Sequence, residues 1–272
     1  MFDLSCFSEA KRIVIKVGTS ALTHESGLFN IRRIEKLVKV LADLKNSGRE
    51  VILVSSGAIG VGVGRLGLKE KPQDIPSKQA CAAVGQCELM YLYDKMFSEY
   101  NHTVAQLLLT KDIVADENKK RRVINTMESL LGYNAIPVVN ENDTVSIAEL
   151  KFGDNDTLSA LVAVLCKADV LVILSDIDGL YDGDPRKDPD ATLIETVPVI
   201  DENIAKLAGG VGSTRGTGGM ITKVQAAKYA TKHHIDVAII NGLKPYNLYK
   251  LFDGEKLGTH FPANPVKVKP KK

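Results

Sequence analysis

Five short segments of this chain place lysines, hydroxyls or carboxylates where an apolar run gives way to a glycine-rich or acidic turn. In KVGTS, Lys16 precedes Gly18, Thr19 and Ser20. A glycine there lets backbone N–H groups approach a phosphate, and the lysine adds a positive charge. In VSSGAIG, Ser55, Ser56 and Gly57 stand at the junction of an expected strand and helix. Such a junction attracts anions through its unpaired N–H groups and the helix dipole. Helix capping accounts for one of the two serines. VVNENDTV (138–145) and GDNDTLSA (153–160) bring Asn140, Glu141, Asn142 and Asp143 close in sequence to Asp154, Asn155 and Asp156. One cap suffices for the helix expected there, so most of these polar groups lack a structural reason. LSDIDG follows the next apolar run with Ser175 and Asp176, and GTGGMITK carries Lys223 behind a glycine loop. Together these segments read as anion- and phosphate-binding strand ends.

The elements that must position these segments follow from hydrophobic period. Runs at 12–17, 50–54, 103–109, 135–139, 169–174 and 235–240 predict strands. Ile31, Ile34, Leu37, Val38, Leu41 and Leu44 share one face of a helix over Asn30–Ser47. Further helices are expected near 76–100, 120–132, 156–167 and 217–234. Strands apolar throughout, alternating with helices, predict a mostly parallel sheet covered on both faces, a three-layer αβα sandwich. In such a sheet ligands sit in a crevice at the C-terminal ends of the strands, where all five segments belong. The stretches 67–76, 181–191 and 208–219 are the least regular, and the last two read as mobile surface loops.

Other readings are excluded or weak. No GxxxxGK[ST] loop occurs. The GxGxxG string at Gly62, Gly64 and Gly67 begins several residues after its strand ends, the wrong place for a dinucleotide fold. Protein-kinase signatures are missing. A net charge of +2 gives no field for nucleic acid or membrane, and no apolar run approaches the ~20 residues of a membrane span. Cys6, Cys81, Cys87 and Cys166 show no zinc-ligand spacing and read as reduced packing residues. With no signal-peptide pattern at the N-terminus, a cytoplasmic location is expected. Residues 262–272 hold four lysines and three prolines; they read as a disordered tail, and without interleaved aromatics they make a poor nucleic-acid site.

Taken in order, KVGTS, SSGAIG, VNENDTV, GDNDTLSA, SDIDGLY, DPR and GTGGMITK resemble the amino-acid kinase family, in the combination found in its glutamate 5-kinases. The resemblance runs from about Lys11 to Phe261, so 1–261 is expected to be one amino-acid kinase domain. Many of these enzymes carry a further C-terminal domain of RNA-modification type; with so few residues after GTHF, a form lacking that domain is expected here. The resemblance implies transfer of the ATP γ-phosphoryl group to the γ-carboxylate of L-glutamate, the first step of proline biosynthesis. It implies Lys16, Lys223 and Asp156 as catalytic residues, the lysines stabilising the transition state and Asp156 orienting them. It places nucleotide on Lys16, Ser175, Asp176, Thr217, Gly218, Gly219, Met220, Ile221, Thr222 and Lys223, and glutamate on Ser56, Asp143 and Asn155. Mg²⁺ is expected on the phosphates with no identified protein ligand, together with homo-oligomers and possible feedback by proline. The rival within the class is an N-acetylglutamate kinase, disfavoured by an acidic cluster that has no partner when the substrate lacks its ammonium. A non-catalytic sensor is disfavoured by the presence of both lysines.

Overall fold

Unbroken runs of Val, Ile and Leu can be buried on both sides only if helices cover both faces of the sheet they form. The computed structural model, which describes residues 5–145, 154–209 and 219–265, shows that arrangement. Its strands are β1 (Arg12–Val17), β2 (Glu50–Ser55), β3 (Val104–Leu109), β4 (Ile136–Glu141), β5 (Val170–Ser175), β6 (Asp236–Asn241) and β7 (Thr259–Phe261). They lie in the order β3-β4-β2-β1-β5-β6-β7, all parallel except the short β7, which closes one edge antiparallel to β6. At the other edge, β3 exposes Gln106 and Leu108 while burying Leu107 and Leu109, so it alternates where a wholly buried strand was expected.

The helices are α1 (Ser5–Ser8), α2 (Thr19–Leu22), α3 (Ile31–Asn46), α4 (Ala58–Arg65), α5 (Ile75–Ser98), α6 (Glu117–Gly132), α7 (Asn155–Leu165), α8 (Glu202–Gly209), α9 (Met220–Lys232) and α10 (Asn247–Phe252). Successive strand residues serve opposite layers. Val14, Ile52, Val139, Leu171 and Ile239 pack with Met127 of α6, Leu158 of α7 and Ala227 of α9. Ile13, Ile15, Leu53, Val172 and Ile240 pack with Phe7, with Leu37 and Leu41 of α3, with Tyr93 and Phe97 of α5, and with Leu251 of α10. Side-chain caps fix where the long helices begin: Asn30, Asp74, Asp116 and Asp154 each accept from a backbone N–H of the first turn of α3, α5, α6 and α7. Each such cap stabilises its helix by about 1 kcal/mol.

The glycines of the GxGxxG string have a packing role. A Cβ on Gly62 would lie 1.9 Å from the carbonyl oxygen of Cys81, and one on Gly85 would lie 1.8 Å from that of Ala58. Helices α4 and α5 therefore meet backbone to backbone, which side chains at these positions would forbid. Among the four cysteines, which form no disulfide, Cys87 is exposed on α5 and is not a packing residue. Among the described residues, no helix is long and apolar enough to cross a membrane.

Candidate active site

The C-terminal ends of β4, β2, β1 and β5 open into a cavity of about 810 Å³. Chain order reverses at β1, which pairs with β2 on one side and β5 on the other, so the cavity sits at the topological switch point of the sheet. Strand order sets the order of chemistry along it. Glu141 and Asp143 stand at the β4 end, Ser56 follows β2, Lys16 lies on β1, and Ser175 and Asp176 end β5. With strands about 4.8 Å apart, β4 and β5 are separated by roughly 14 Å, room for two ligands meeting over β1.

At that meeting point Asp156 holds two lysines. Its Oδ1 is 2.7 Å from Nζ of Lys16 and its Oδ2 is 2.9 Å from Nζ of Lys223. Asp156 is 0% exposed, Lys16 4% and Lys223 7%. Three elements converge here. Lys16 is the penultimate residue of β1, Asp156 lies in the first turn of α7, and Lys223 lies in the first turn of α9. Thr222 Oγ1 donates to the same Oδ2 at 2.9 Å. Burial pushes the Asp156 carboxyl up, but the charges of Lys16 and Lys223 outweigh it and hold the group well below the ordinary carboxylate range. For Lys16, burial opposes the charged form, and Asp156 and Asp154 more than offset it, so its pKa lies above the ordinary lysine value. The trio carries one net positive charge at a largely dry place.

Asp154 is different. Its Oδ1 accepts from the N–H of Asp156 as the cap of α7, while its Oδ2 is buried without a hydrogen-bond partner among the described residues. Burial first, and then the neighbouring charge of Asp156, raise its pKa above the usual carboxylate value, with Lys16 opposing only in part.

A chain of amides fixes the β4 side. The N–H of Glu141 donates to Asn140 Oδ1 at 2.9 Å, and Asn140 Nδ2 donates to Gln86 Oε1 at 2.8 Å. This settles which way Asn140 faces. Asn155 Nδ2 then donates to Asn140 Oδ1 at 2.7 Å and to Ser55 O at 2.8 Å. Both N–H groups of the Asn155 amide are thereby used within the protein, leaving its Oδ1 as the side-chain atom able to meet a ligand. The turn between β2 and α4 needs Gly57, whose φ of +102° suits no other residue well.

Of the residues singled out in the sequence, Lys16, Ser56, Asp143, Asn155, Ser175, Asp176 and Lys223 all line the cavity, and Asp156 lies beneath it. Gly219, Met220, Ile221 and Thr222 form the cap and first turn of α9; Met220 turns its side chain into the core, so any contact it offers a ligand is through backbone. Thr217 and Gly218 lie outside the described residues. Strand β4 runs to Glu141, so Asn140 and Glu141 belong to the strand end and not to the turn expected after 139. The 181–191 segment, expected to be a mobile loop, is tied back: Tyr181 bridges to Leu193, Thr192 N donates to Asp182, and Arg186 pairs with Asp176 at 2.6 Å. Arg186 and Lys187 thus join the cavity beside Ser175, where only the DPR string drew notice. His24, Glu25 and Arg33 also line it, from a segment whose sequence held no signal of chemistry.

The model of the amino acid kinase family matches residues 11–241. A glutamate 5-kinase of Clostridium perfringens is 55% identical over 259 residues, covering 94% of this chain and 96% of the relative. One from Caldanaerobacter subterraneus subsp. tengcongensis is 52% identical, covering 92% of this chain and 67% of the relative. Among solved structures, a UMP kinase of Bacillus anthracis superposes with a TM-score of 0.63 at 16% identity, over 94% of this chain and 97% of the other. An isopentenyl phosphate kinase of T. acidophilum gives 0.63 at 20%, over 92% and 100%. At such identities these two likenesses concern the fold.

Proposed function

This chain belongs to the amino acid kinase family, and we propose that it catalyses the reaction for which its clostridial relatives are named, moving the γ-phosphoryl group of ATP onto the side-chain carboxylate of L-glutamate. The product, glutamyl 5-phosphate, opens the route to proline. The observation that carries the reading is the Lys16–Asp156–Lys223 bridge, set between an acidic strand end and the Ser175–Asp176 turn.

The chemistry asks little of proton transfer. A glutamate side chain, with an ordinary pKa near 4.3, is already ionised at neutral pH and attacks phosphorus without a general base. One carboxylate oxygen bonds to the γ-phosphorus as the bond to the β–γ bridging oxygen breaks, and ADP leaves with that electron pair. What the protein must supply is alignment and positive charge. Lys16 and Lys223 would supply the charge, held apart and aimed by Asp156. Ser175, Asp176 and the backbone from Thr217 to Thr222 would hold the nucleotide.

At the other end, Ser56, Asp143 and Asn155 would hold glutamate. Because the Asn155 amide has only its oxygen to offer, we assign it, with Asp143, to the α-ammonium; Ser56 and the N-terminal end of α4 would take carboxylate oxygens.

A divalent cation accompanies nucleotides in such enzymes, and Mg²⁺ fits here. Asp154 lines the cavity with a buried carboxylate oxygen that has no hydrogen-bond partner among the described residues, a hard donor of the kind Mg²⁺ accepts. Bound, the ion would neutralise charge on the β- and γ-phosphates. The remaining parts of the proposal are a cytoplasmic homo-oligomer, no nucleic-acid partner, inhibition by proline competing at the glutamate end, and one kinase domain over 1–261.

ADP release measured with a panel of free and N-acetylated acidic amino acids tests the assignment. L-glutamate should be the preferred acceptor; preference for N-acetyl-L-glutamate would overturn it. A proline titration at low glutamate tests the regulatory part, where a flat response refutes it.

A further inference from the structure

At the end of the sheet opposite the cavity, three side chains from three elements converge. The Sγ of Cys6 on α1, a carboxylate oxygen of Asp236 at the start of β6 and a ring nitrogen of His260 on β7 all lie within 4.8 Å of one another. His260 Nε2 and Asp236 Oδ1 are 2.8 Å apart. His260 is 6% exposed; Nε2 is the ring nitrogen turned to Asp236, while Nδ1 is buried with no hydrogen-bond partner among the described residues. Phe7, fully buried, packs edge-on against the same ring at 5.2 Å and holds it in place. Cys6 and Asp236 are only partly buried, which leaves a path from solvent. None of the three takes part in the phosphoryl chemistry.

We propose that Cys6, Asp236 and His260 form a binding site for one thiophilic divalent cation of the Zn²⁺ type, which ties the N-terminal helix to the β6–β7 edge. Thiolate, imidazole and carboxylate together select such an ion over Mg²⁺ or Ca²⁺, which take oxygen ligands. Two ligands each about 2.05 Å from a tetrahedral ion stand about 3.3 Å apart. The 2.8 Å contact need therefore open by only about 0.5 Å as its proton passes to solvent. Water would fill the fourth position.

Co²⁺ titration of the full chain, stripped of metal beforehand, tests the site. One equivalent should bring up a thiolate-to-cobalt charge-transfer band in the near ultraviolet, and Zn²⁺ should displace it. Cys6→Ser should abolish the band, and Asp236→Asn should weaken binding about tenfold or more. No band in the parent, or an unchanged band in Cys6→Ser, overturns the proposal. A second measurement on the parent alone guards against a misfolded variant. Zn²⁺ should slow alkylation of Cys6 at least tenfold, read by peptide mass, while exposed Cys87 reacts as before. Equal protection or equal reaction at the two cysteines would refute the site.

Discussion

The carboxylate of Asp156, on α7, lies 2.7 Å from the ammonium of Lys16, on β1, and neither group is open to solvent. Removing one partner strands the other's charge, which costs about 3–5 kcal/mol for a buried pair. Asp156→Asn should therefore lower unfolding free energy by about that amount as well as abolish activity. Its pH dependence is specific. Asp156 ionises more readily in the folded chain than the roughly 3.9 of an unfolded aspartate. The contribution is thus fully present above about pH 4 and is lost as pH falls toward the depressed folded value. Denaturant unfolding of parent and variant across acid pH should show a gap that narrows on acidification. A gap that stays constant would mean the bridge contributes no linked stability.

Lys16→Met and Lys223→Met should each reduce kcat on the order of 10²-fold or more while changing KM for glutamate far less. Charge that acts mainly in the transition state behaves this way. Steady-state rates decide it, and a kcat within about twofold of the parent removes that lysine from the catalytic role.

Asp143→Asn should raise KM for L-glutamate and erode its preference over N-acetyl-L-glutamate, leaving KM for ATP unchanged. A charge-assisted pair of roughly 1.5–3 kcal/mol corresponds to a ten- to hundredfold loss in kcat/KM. Parallel kinetics on both acceptors provide the comparison. An unchanged ratio would put the ammonium elsewhere.

Gly85→Ala should destabilise the fold by several kcal/mol, because the new methyl would land on the Ala58 carbonyl. Overpacking of lesser severity already costs about 1–3 kcal/mol. Gly132→Ala, at the end of α6 with open space around it, should instead be neutral or stabilise by up to about 1 kcal/mol. The thermal unfolding midpoint should fall for Gly85→Ala and hold or rise for Gly132→Ala. A stable Gly85→Ala would mean α4 and α5 can separate without loss.

Much of the sheet was legible because its strands are buried on both faces and so read as plain apolar runs. The three-residue β7 was not, since Thr259-His260-Phe261 has no period to detect and is ordered by pairing with β6 on one side and a bridge to Thr196 on the other. Helix α4 hid its reason as well: its glycines looked like a weak nucleotide fingerprint, and only the approach of α5 explains them. At the site, strand-end lysines and clustered carboxylates stood out by type. Arg33 and His24 did not, because nothing local marks a basic residue as facing a cavity that distant strands create. The orientation of Asn155 was beyond any sequence argument, for it depends on a backbone N–H at Glu141, 14 residues earlier in the chain.

The contact of Gly62 and Gly85 also has a mechanical meaning. With backbone against backbone at Gly62 and Gly85, and the Arg65–Glu88 ion pair bridging the same two helices, α4 and α5 form one clamped body. One end of that body is the Ser56–Gly57 turn at the cavity, and the other is Ser98, 13 residues past the contact and about 20 Å away along α5. That far end is anchored: Tyr93 and Phe97 are buried against the sheet, and the Tyr93 hydroxyl meets Ser55 Oγ at 2.9 Å. The clamp thus fixes the Ser56–Gly57 turn against the sheet from two sides, so a side chain placed at Gly62 or Gly85 should disturb the cavity as well as the helix pair.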